Sequence, residues 1–446
     1  MVSIVVHFFD LLSDAGNQKY LIQKDNVSRD DFNTAWTIDI LIKSSLAIVL
    51  FACTHIISSY FEEPRLILAI QIMSLVLPIN ALKNPALAQL ARDFNYKKLA
   101  YLQVIQKLFS FLIVIFVVLL VDASYWAIIA GDITASLTFT LGSYFIIHFI
   151  PRWSLKNIHA QWRFSQWLLL RSIFGFFRAQ LDITFVSRLF GSSQVGGYHL
   201  TRELALLPAV NILIPALEPL LSAIAKSKGT AKSLAYRVRL SLFCLALVII
   251  PISVFIWFFY YEIVAAVLGD QWITYEILLK YFSLIFLTYP MFAMLSNTLI
   301  AVGKVRKLFL FDLSTTVALF ILLFSVKNFS IEAFTLIRCY ASIIFTIPLL
   351  YLVNRLTCFL WGRFLYLTIP IIIGAVLAAL ISQYISKLID IKMIFKLGMI
   401  CISYFSIYLL LIFISFKTIL INTEEALHTT HLVMQMFAKI LNRKPR

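Results

Sequence analysis

The sequence predicts an all-α polytopic membrane protein, and three observations carry that expectation. Hydrophobic residues make up 61% of the 446-residue chain and charged residues 13%, with a mean hydropathy of +0.90. That is far from the balance of a soluble domain. Apolar runs of bilayer-spanning length recur along the chain. Basic residues gather on alternate connections between those runs, twenty-three on one set against four on the other.

The runs lie near residues 38–61, 66–90, 100–121, 126–150, 165–190 and 196–225, then 238–260, 275–302, 307–326, 331–353, 363–386 and 393–416. A shorter, more polar run occupies 1–22. About 12–13 transmembrane helices are therefore expected. The basic set of connections carries Lys24 and Arg29, then Arg92, Lys97 and Lys98, then Arg152, Lys156 and Arg163. It continues through 226–239, 304–307 and 355–363 to the C-terminus, whereas the other set holds only Arg65, Lys327, Lys387 and Lys392. Short loops rich in Lys and Arg stay on the cytoplasmic side, so these loops and the C-terminus are expected there.

If residues 1–22 span, the same parity leaves Met1 outside with no preceding helix to carry it there. No basic n-region or small-residue cleavage site marks a removable signal peptide. The net charge of +16 is spread over short loops without a basic domain interleaved with aromatics. Anionic lipid headgroups, not nucleic acid, are the expected partner. The cysteines, Cys53, Cys244, Cys339, Cys358 and Cys401, show no CxxC spacing, so neither a disulfide framework nor a metal site follows.

Pro78, Pro85, Pro208, Pro215, Pro251, Pro290, Pro348 and Pro370 interrupt the runs. Each frees a backbone carbonyl, which is expected to face protein or a wet cavity, as a hinge for transport or as a static kink. The connection 151–164, with Trp153 and Trp162, is the expected boundary between two helical lobes.

The run 165–190 is the most charged, with Arg171, Arg178, Asp182 and Arg188. Spacings of seven and four residues put Arg171, Arg178 and Asp182 within about 60° on one helix face. A charge near the bilayer centre costs roughly 2.5–3.5 kcal/mol even on lenient scales, so this stripe should face the bundle interior or water. Guanidinium groups bind phosphate or carboxylate in two-pronged fashion, which makes Arg178 and Arg171 candidates to hold an anionic cargo group, with Asp182 orienting Arg178. The competing reading is a structural ion pair. For Arg171 and Arg188, nearer the ends, structure or snorkelling is the favoured reading.

The next run carries Glu203, Asn211 and Glu218 within about 80° before any kink, candidates for proton or sodium coupling or for interhelix pairing. Asp312 and Arg338, in later runs, read as helix-end or interface residues. Residues 423–442 have an amphipathic pattern, with Asn422 and Glu425 resembling a capping box, and are expected to lie on the cytoplasmic surface.

No phosphate-binding GxxxxGK[ST], dinucleotide GxGxxG, HExxH or GxSxG motif occurs, and the histidines do not cluster with metal ligands. No catalytic residue, cofactor or metal is expected.

An ordered set of local patterns carries a family resemblance: LLSDAGNQKYLIQ at 11–23, YFEEPRL at 60–66, NPALAQLARDFNYKKLA at 84–100 and YWAIIAGDI at 125–133. RAQLDITFVSRLFGSSQVGGYHLTRELALLPA at 178–209, LGDQW at 268–272 and LIAVGK at 299–304 follow. Together they resemble the bacterial Wzx-type polysaccharide-export flippases of the multidrug, oligosaccharidyl-lipid and polysaccharide exporter superfamily.

The resemblance implies two six-helix lobes around a central cavity, plus two C-terminal helices. The expected divisions are an N-terminal lobe at 1–153, a second lobe at 154–356, two further helices at 357–416 and a cytoplasmic tail at 417–446. It implies movement of a lipid-linked oligosaccharide repeat unit, carried on undecaprenyl pyrophosphate, to the outer leaflet of the bacterial inner membrane. O-antigen, capsule or exopolysaccharide synthesis would use such a unit, with other polysaccharide-assembly proteins as potential partners. Arg178 and Asp182 match the family's seventh-helix position. The chain departs from the pattern in starting after the family's first helix and its Gly-Tyr turn, so the first lobe is expected to be incomplete and Met1 to be a truncated or misplaced start.

Two other readings stay open. A drug or cation antiporter of the same superfamily would favour carboxylates over arginines. An integral-membrane glycan polymerase or ligase would want a large external loop, whereas the longest here is about 261–274.

Overall fold

The computed structural model describes residues 16–60, 66–120, 125–225, 231–357, 361–388 and 392–418, with Phe9, Ser13, Pro64, Thr423, Glu424, Glu425 and Leu427 beyond them. These residues are almost wholly helical. Nine helices among them are long and apolar enough to cross a membrane. The tail pattern at 423–442 falls mostly outside the described residues, as do most of residues 1–15.

The chain divides into two compact units, Met1–Gln180 with Leu221–Lys226 and Leu299–Thr316, and Leu181–Leu220 with Ser227–Thr298 and Val317–Arg446. In chain order the first includes α1 (Asn17–Gln23), α2 (Arg29–Tyr60), α3 (Leu66–Ser74), α4 (Val76–Ala81), α5 (Leu87–Arg92), α6 (Tyr96–Leu120) and α7 (Tyr125–Ile146). It also takes most of α8 (Ile158–Phe190).

The apolar run 66–90 is not one span but three short helices. Pro78 and Pro85 cannot continue the ladder, and the break is closed by Asn84. Its side-chain amide donates to the carbonyls of Ile147 at 2.9 Å and Phe149 at 3.1 Å, and its own N–H donates to the Ser143 hydroxyl at 3.0 Å. Helices α6 and α7 pair closely because α7 presents glycines to α6: a Cβ at Gly131 would collide with Val114 and one at Gly142 with Leu102. Ser110 donates to the carbonyl of Gly131 at 2.9 Å across this pair, the small-residue packing that membrane helices favour. The outer face of α6 leaves Tyr101, Leu108, Phe111, Phe116 and Leu119 exposed. Such a continuous apolar surface is stable only in lipid.

At the start of this unit Gly16 adopts φ +65°, and a Cβ there would collide with Leu168. Only glycine suits both constraints. The turn delivers Asn17, whose side chain donates to Asp39 at 2.6 Å and accepts from Gln161 at 2.8 Å and Ser165 at 3.0 Å.

The second unit contains α9 (Ser192–Pro208), α11 (Ala231–Phe258), α12 (Tyr260–Val267), α15 (Ile331–Thr357), α16 (Trp361–Lys387) and α17 (Met393–Thr418). It shares the remaining helices with the first unit, taking the early part of α10 (Ile214–Ala225), all but the end of α13 (Glu276–Ala301) and the later part of α14 (Val305–Ser325). Helix α17 buries Ile400, Tyr404, Tyr408 and Ile412, spaced by four, against α11 and α16. On α16, Gly374 faces Leu411 and Ile412 of α17, and Ala375, Ala378 and Ala379 are fully buried.

Pro251 shows where a freed carbonyl goes. Proline lacks the N–H that the carbonyl four residues earlier needs, here Leu247, and the Tyr408 hydroxyl donates to that oxygen at 2.9 Å. Tyr404 likewise donates to Pro251 O at 2.7 Å. Past Pro208 the chain forms a π-helical turn, Ala209–Leu213, and the Asn211 amide donates to Leu207 O at 3.1 Å.

The count of nine differs from the expected 12–13 for physical reasons. Three of the twelve expected runs fall outside the nine. The run 66–90 is broken, α8 carries too many charges to qualify on composition, and α7, with Asp132 and several Gly, Ser and Thr residues, is less apolar than the nine. Most of 1–22 lies outside the described residues or in the short α1.

Candidate functional site

Helix α8 organises the charged residues singled out by the sequence. In the first unit, Arg171 and Arg178 lie two turns apart on α8 and meet Asp312 and Thr315, three apart on α14. Arg171 Nε donates to Asp312 Oδ2 at 2.5 Å. Arg178 Nη1 lies 3.9 Å from Asp312 Oδ1 and donates to Thr315 Oγ1 at 3.2 Å. Two guanidinium groups thus share one carboxylate. The arginine side chains are 23% and 21% exposed and the carboxylate 10%. Asp312 Oδ1 is buried without a hydrogen bond of its own. Phe309 packs against Trp167 and Phe174 at 5.6 and 5.7 Å, and Arg306 lies 5.4 Å over Trp167, so aromatic rings flank the cluster.

In the second unit, Asp182 is fully buried and accepts from Arg338 Nε at 2.7 Å. Its Oδ2, the Tyr198 hydroxyl and Arg202 Nε are buried without hydrogen-bond partners. Tyr198 is held edge-on against Phe282 at 5.1 Å. Arg338 is thus the counterion of Asp182, while the described partners of Arg178 are Asp312 and Thr315. Arg188 is exposed.

Glu203, Asn211 and Glu218 are all exposed. Their expected common face assumed an unbroken α-helix, and the π-turn 209–213 changes the rotation between Glu203 and Glu218. Among the described residues no group of three or more His, Cys, Asp or Glu side chains is placed to hold a metal.

The sequence reading did not assign Asp312 and Arg338 to the candidate site. A signal for them was present, because a guanidinium within a span calls for a carboxylate from another span. What the one-dimensional pattern lacks is which carboxylate faces which arginine.

A multi-pass helical bundle with charge clusters inside its apolar helices defines an integral membrane protein. The structure is similar to that of the lipid II flippase MurJ in an inward closed conformation, with a TM-score of 0.62 at 16% identity, over 93% of this chain and 91% of that one. It is also similar to the Vibrio cholerae MATE transporter VcmN in its bent form, with a TM-score of 0.58 at 10% identity, over 80% and 85% of the two chains. At those identities the likeness concerns the fold.

A family model described as polysaccharide biosynthesis protein matches residues 1–276, and the chain belongs to that family. An uncharacterized membrane protein in the cps region of Klebsiella pneumoniae is 25% identical over 284 residues, covering 61% of this chain and 57% of the relative. The succinoglycan biosynthesis transport protein ExoT of Rhizobium meliloti is 22% identical over 270 residues, covering 60% and 54%. The lipopolysaccharide biosynthesis protein WzxC of Escherichia coli is 21% identical over 281 residues, covering 60% and 55%. This chain therefore aligns with a little over half the length of these curated relatives. The Wzx-type resemblance read from local motifs agrees with these relatives.

Proposed function

We propose that this protein is a non-enzymatic flippase that moves an undecaprenyl-pyrophosphate-linked oligosaccharide repeat unit from the inner to the outer leaflet for surface polysaccharide synthesis. The observation that carries the reading is the cluster of Arg171, Arg178 and Asp312, in which two buried-side guanidinium groups share one carboxylate. An apolar span tolerates ionised side chains only where they face protein or water, and neighbouring guanidinium groups suit an anionic cargo group. The relatives named for succinoglycan transport and lipopolysaccharide biosynthesis support the cargo class.

In this reading Arg178 and Arg171 take phosphate oxygens, and Asp312 holds them in place when no cargo is bound. Asp182, paired with Arg338, has the structural role of a buried counterion. Glu203, Asn211 and Glu218 are exposed, and the two carboxylates are the candidates for proton or sodium coupling or for pairing with another helix. The organisation proposed is an N-terminal lobe at 1–153, a second lobe at 154–356, added helices at 357–416 and a cytoplasmic tail, in the bacterial inner membrane. Alternating access would rock the lobes about the site. Other polysaccharide-assembly proteins are the expected partners.

The exposed carboxylates Glu203 and Glu218 favour a second reading, a drug or cation antiporter. One experiment separates the two. Mass analysis of lipid-linked intermediates in a deletion strain should show a single repeat unit accumulating, restored by the intact gene and not by Arg178→Ala present at equal membrane level. An unchanged lipid pool would count against a flippase, and normal surface glycan with Arg178→Ala would remove that residue from the cargo site.

A further inference from the structure

In the first unit a groove of about 500 Å³ is lined by Arg29, Phe32, Ala86, Gln89, His148 and the apolar side chains of 147–150. Three helix ends meet there. Helix α2 begins at Arg29, α7 ends at Ile146, and α5 begins at Leu87. Ends of spans lie at headgroup depth, where the chain also places Trp153, 63% exposed and edge-on to Trp36 at 5.6 Å.

The charges around this groove are unequally matched. Asp31 is engaged by Lys24 at 2.7 Å, and Asp30 by Lys156 at 3.3 Å. Arg29 and His148 are exposed, and neither forms an ion pair with a carboxylate among the described residues. Arg29 instead lies 5.7 Å over the Phe149 ring. That contact steadies the guanidinium on the groove wall while leaving its N–H groups available. Apart from Gln89, which donates to Asp93 at 2.9 Å, the remainder of the lining is apolar, with Phe32, Ala86, Phe149, Ile147 and Ile150, the last 76% exposed.

We propose that this groove is a binding site for an anionic phospholipid. The phosphate sits against Arg29 with His148 beside it, and the start of an acyl chain covers Phe32, Phe149 and Ile150. Charge complementarity selects an anionic headgroup, because Asp30 and Asp31 already have lysine partners and Asp93 is engaged by Gln89. The apolar floor selects a lipid over a bare phosphate: 500 Å³ is many times the share of one water, about 30 Å³, and a phosphate gains nothing from the isoleucines. This site is separate from the Arg171–Asp312 cluster and does not depend on the proposed cargo.

The test is native mass spectrometry of the full-length purified protein with phosphatidylglycerol, with phosphatidylcholine, and with phosphatidylglycerol plus millimolar inorganic phosphate. The site requires that phosphatidylglycerol be retained over phosphatidylcholine and resist inorganic phosphate. Arg29→Gln should lower its retention roughly fivefold, the effect of one surface cation, and Arg29→Lys should keep most of it. Ile150→Asp, on an exposed side chain that the fold does not need, should lower retention as well. Equal retention of both lipids, displacement by inorganic phosphate, or unchanged retention in both Arg29→Gln and Ile150→Asp would each overturn the proposal.

Discussion

The Tyr408 hydroxyl donates to the carbonyl of Leu247, the acceptor that Pro251 leaves without an N–H. A side chain 161 residues away thus completes the backbone of α11, and the proline kink is tolerated because protein, not lipid, faces the gap. Tyr408→Phe should lower thermal stability in detergent by about 1 kcal/mol, the usual size of such a bond between membrane helices. In the background Pro251→Ala, which restores the missing N–H, the same change should cost clearly less. Equal losses in the two backgrounds would show that Tyr408 acts only through packing.

Asp182 and Arg338 form a buried pair, and removing one partner leaves the other uncompensated. Asp182→Asn should destabilise the protein by about 3–5 kcal/mol and reduce its level in the membrane. Asp182→Leu with Arg338→Met should recover much of that loss. Quantitative blotting of membranes and melting curves on purified protein report both effects, and failure of the double change to recover would mean that the pair has a role beyond charge balance.

Asp312 restrains Arg171 and Arg178. In the proposed flippase, Asp312→Asn should leave membrane levels near normal while altering export, because the guanidinium groups persist without the carboxylate that orients them. Arg171→Ala should cost more in stability than Arg178→Ala, since Arg171 makes the 2.5 Å bond to the carboxylate. Surface glycan measured per unit of membrane protein separates the two effects.

Near the C-terminus, Glu425 is fully buried between Arg239, which donates to it, and Arg363 at 3.0 Å. Burial alone would raise its carboxyl, but the hydrogen bond and charge of Arg239, with Arg363 behind it, hold it below the ordinary carboxylate range. A depressed acid stabilises the folded state above its unfolded value, about 4.3 for a free Glu, and that contribution is lost as pH falls through the lower folded value. Protease protection of the segment around Glu425 should therefore persist at neutral pH and weaken on acidification. Glu425→Gln should be weakened at neutral pH and show a flatter response to acid.

Much of the architecture was legible in one dimension. Apolar runs and proline positions report directly on helices, because the bilayer forces every backbone group to be satisfied locally. The left-handed Gly16 was not legible in advance: the SDAGNQ segment stood only as part of the family resemblance. The stripe of Arg171, Arg178 and Asp182 was legible as charge that lipid cannot accommodate. Its pairing was not, because helix periodicity gives a side chain's direction on its own helix and nothing about what stands opposite.

By itself, then, the sequence determined a membrane-embedded helical protein, since hydropathy and helix-breaking residues act over a few turns and need no distant partner. Tertiary structure alone decided that Arg171 and Arg178 share Asp312, that Asp182 belongs to Arg338, and that Tyr408 serves the carbonyl vacated by Pro251. Each of these joins residues more than 130 positions apart. Such contacts depend on how whole helices rotate and pack, which small residues such as Gly131 and Gly142 set through close approach and no local pattern records.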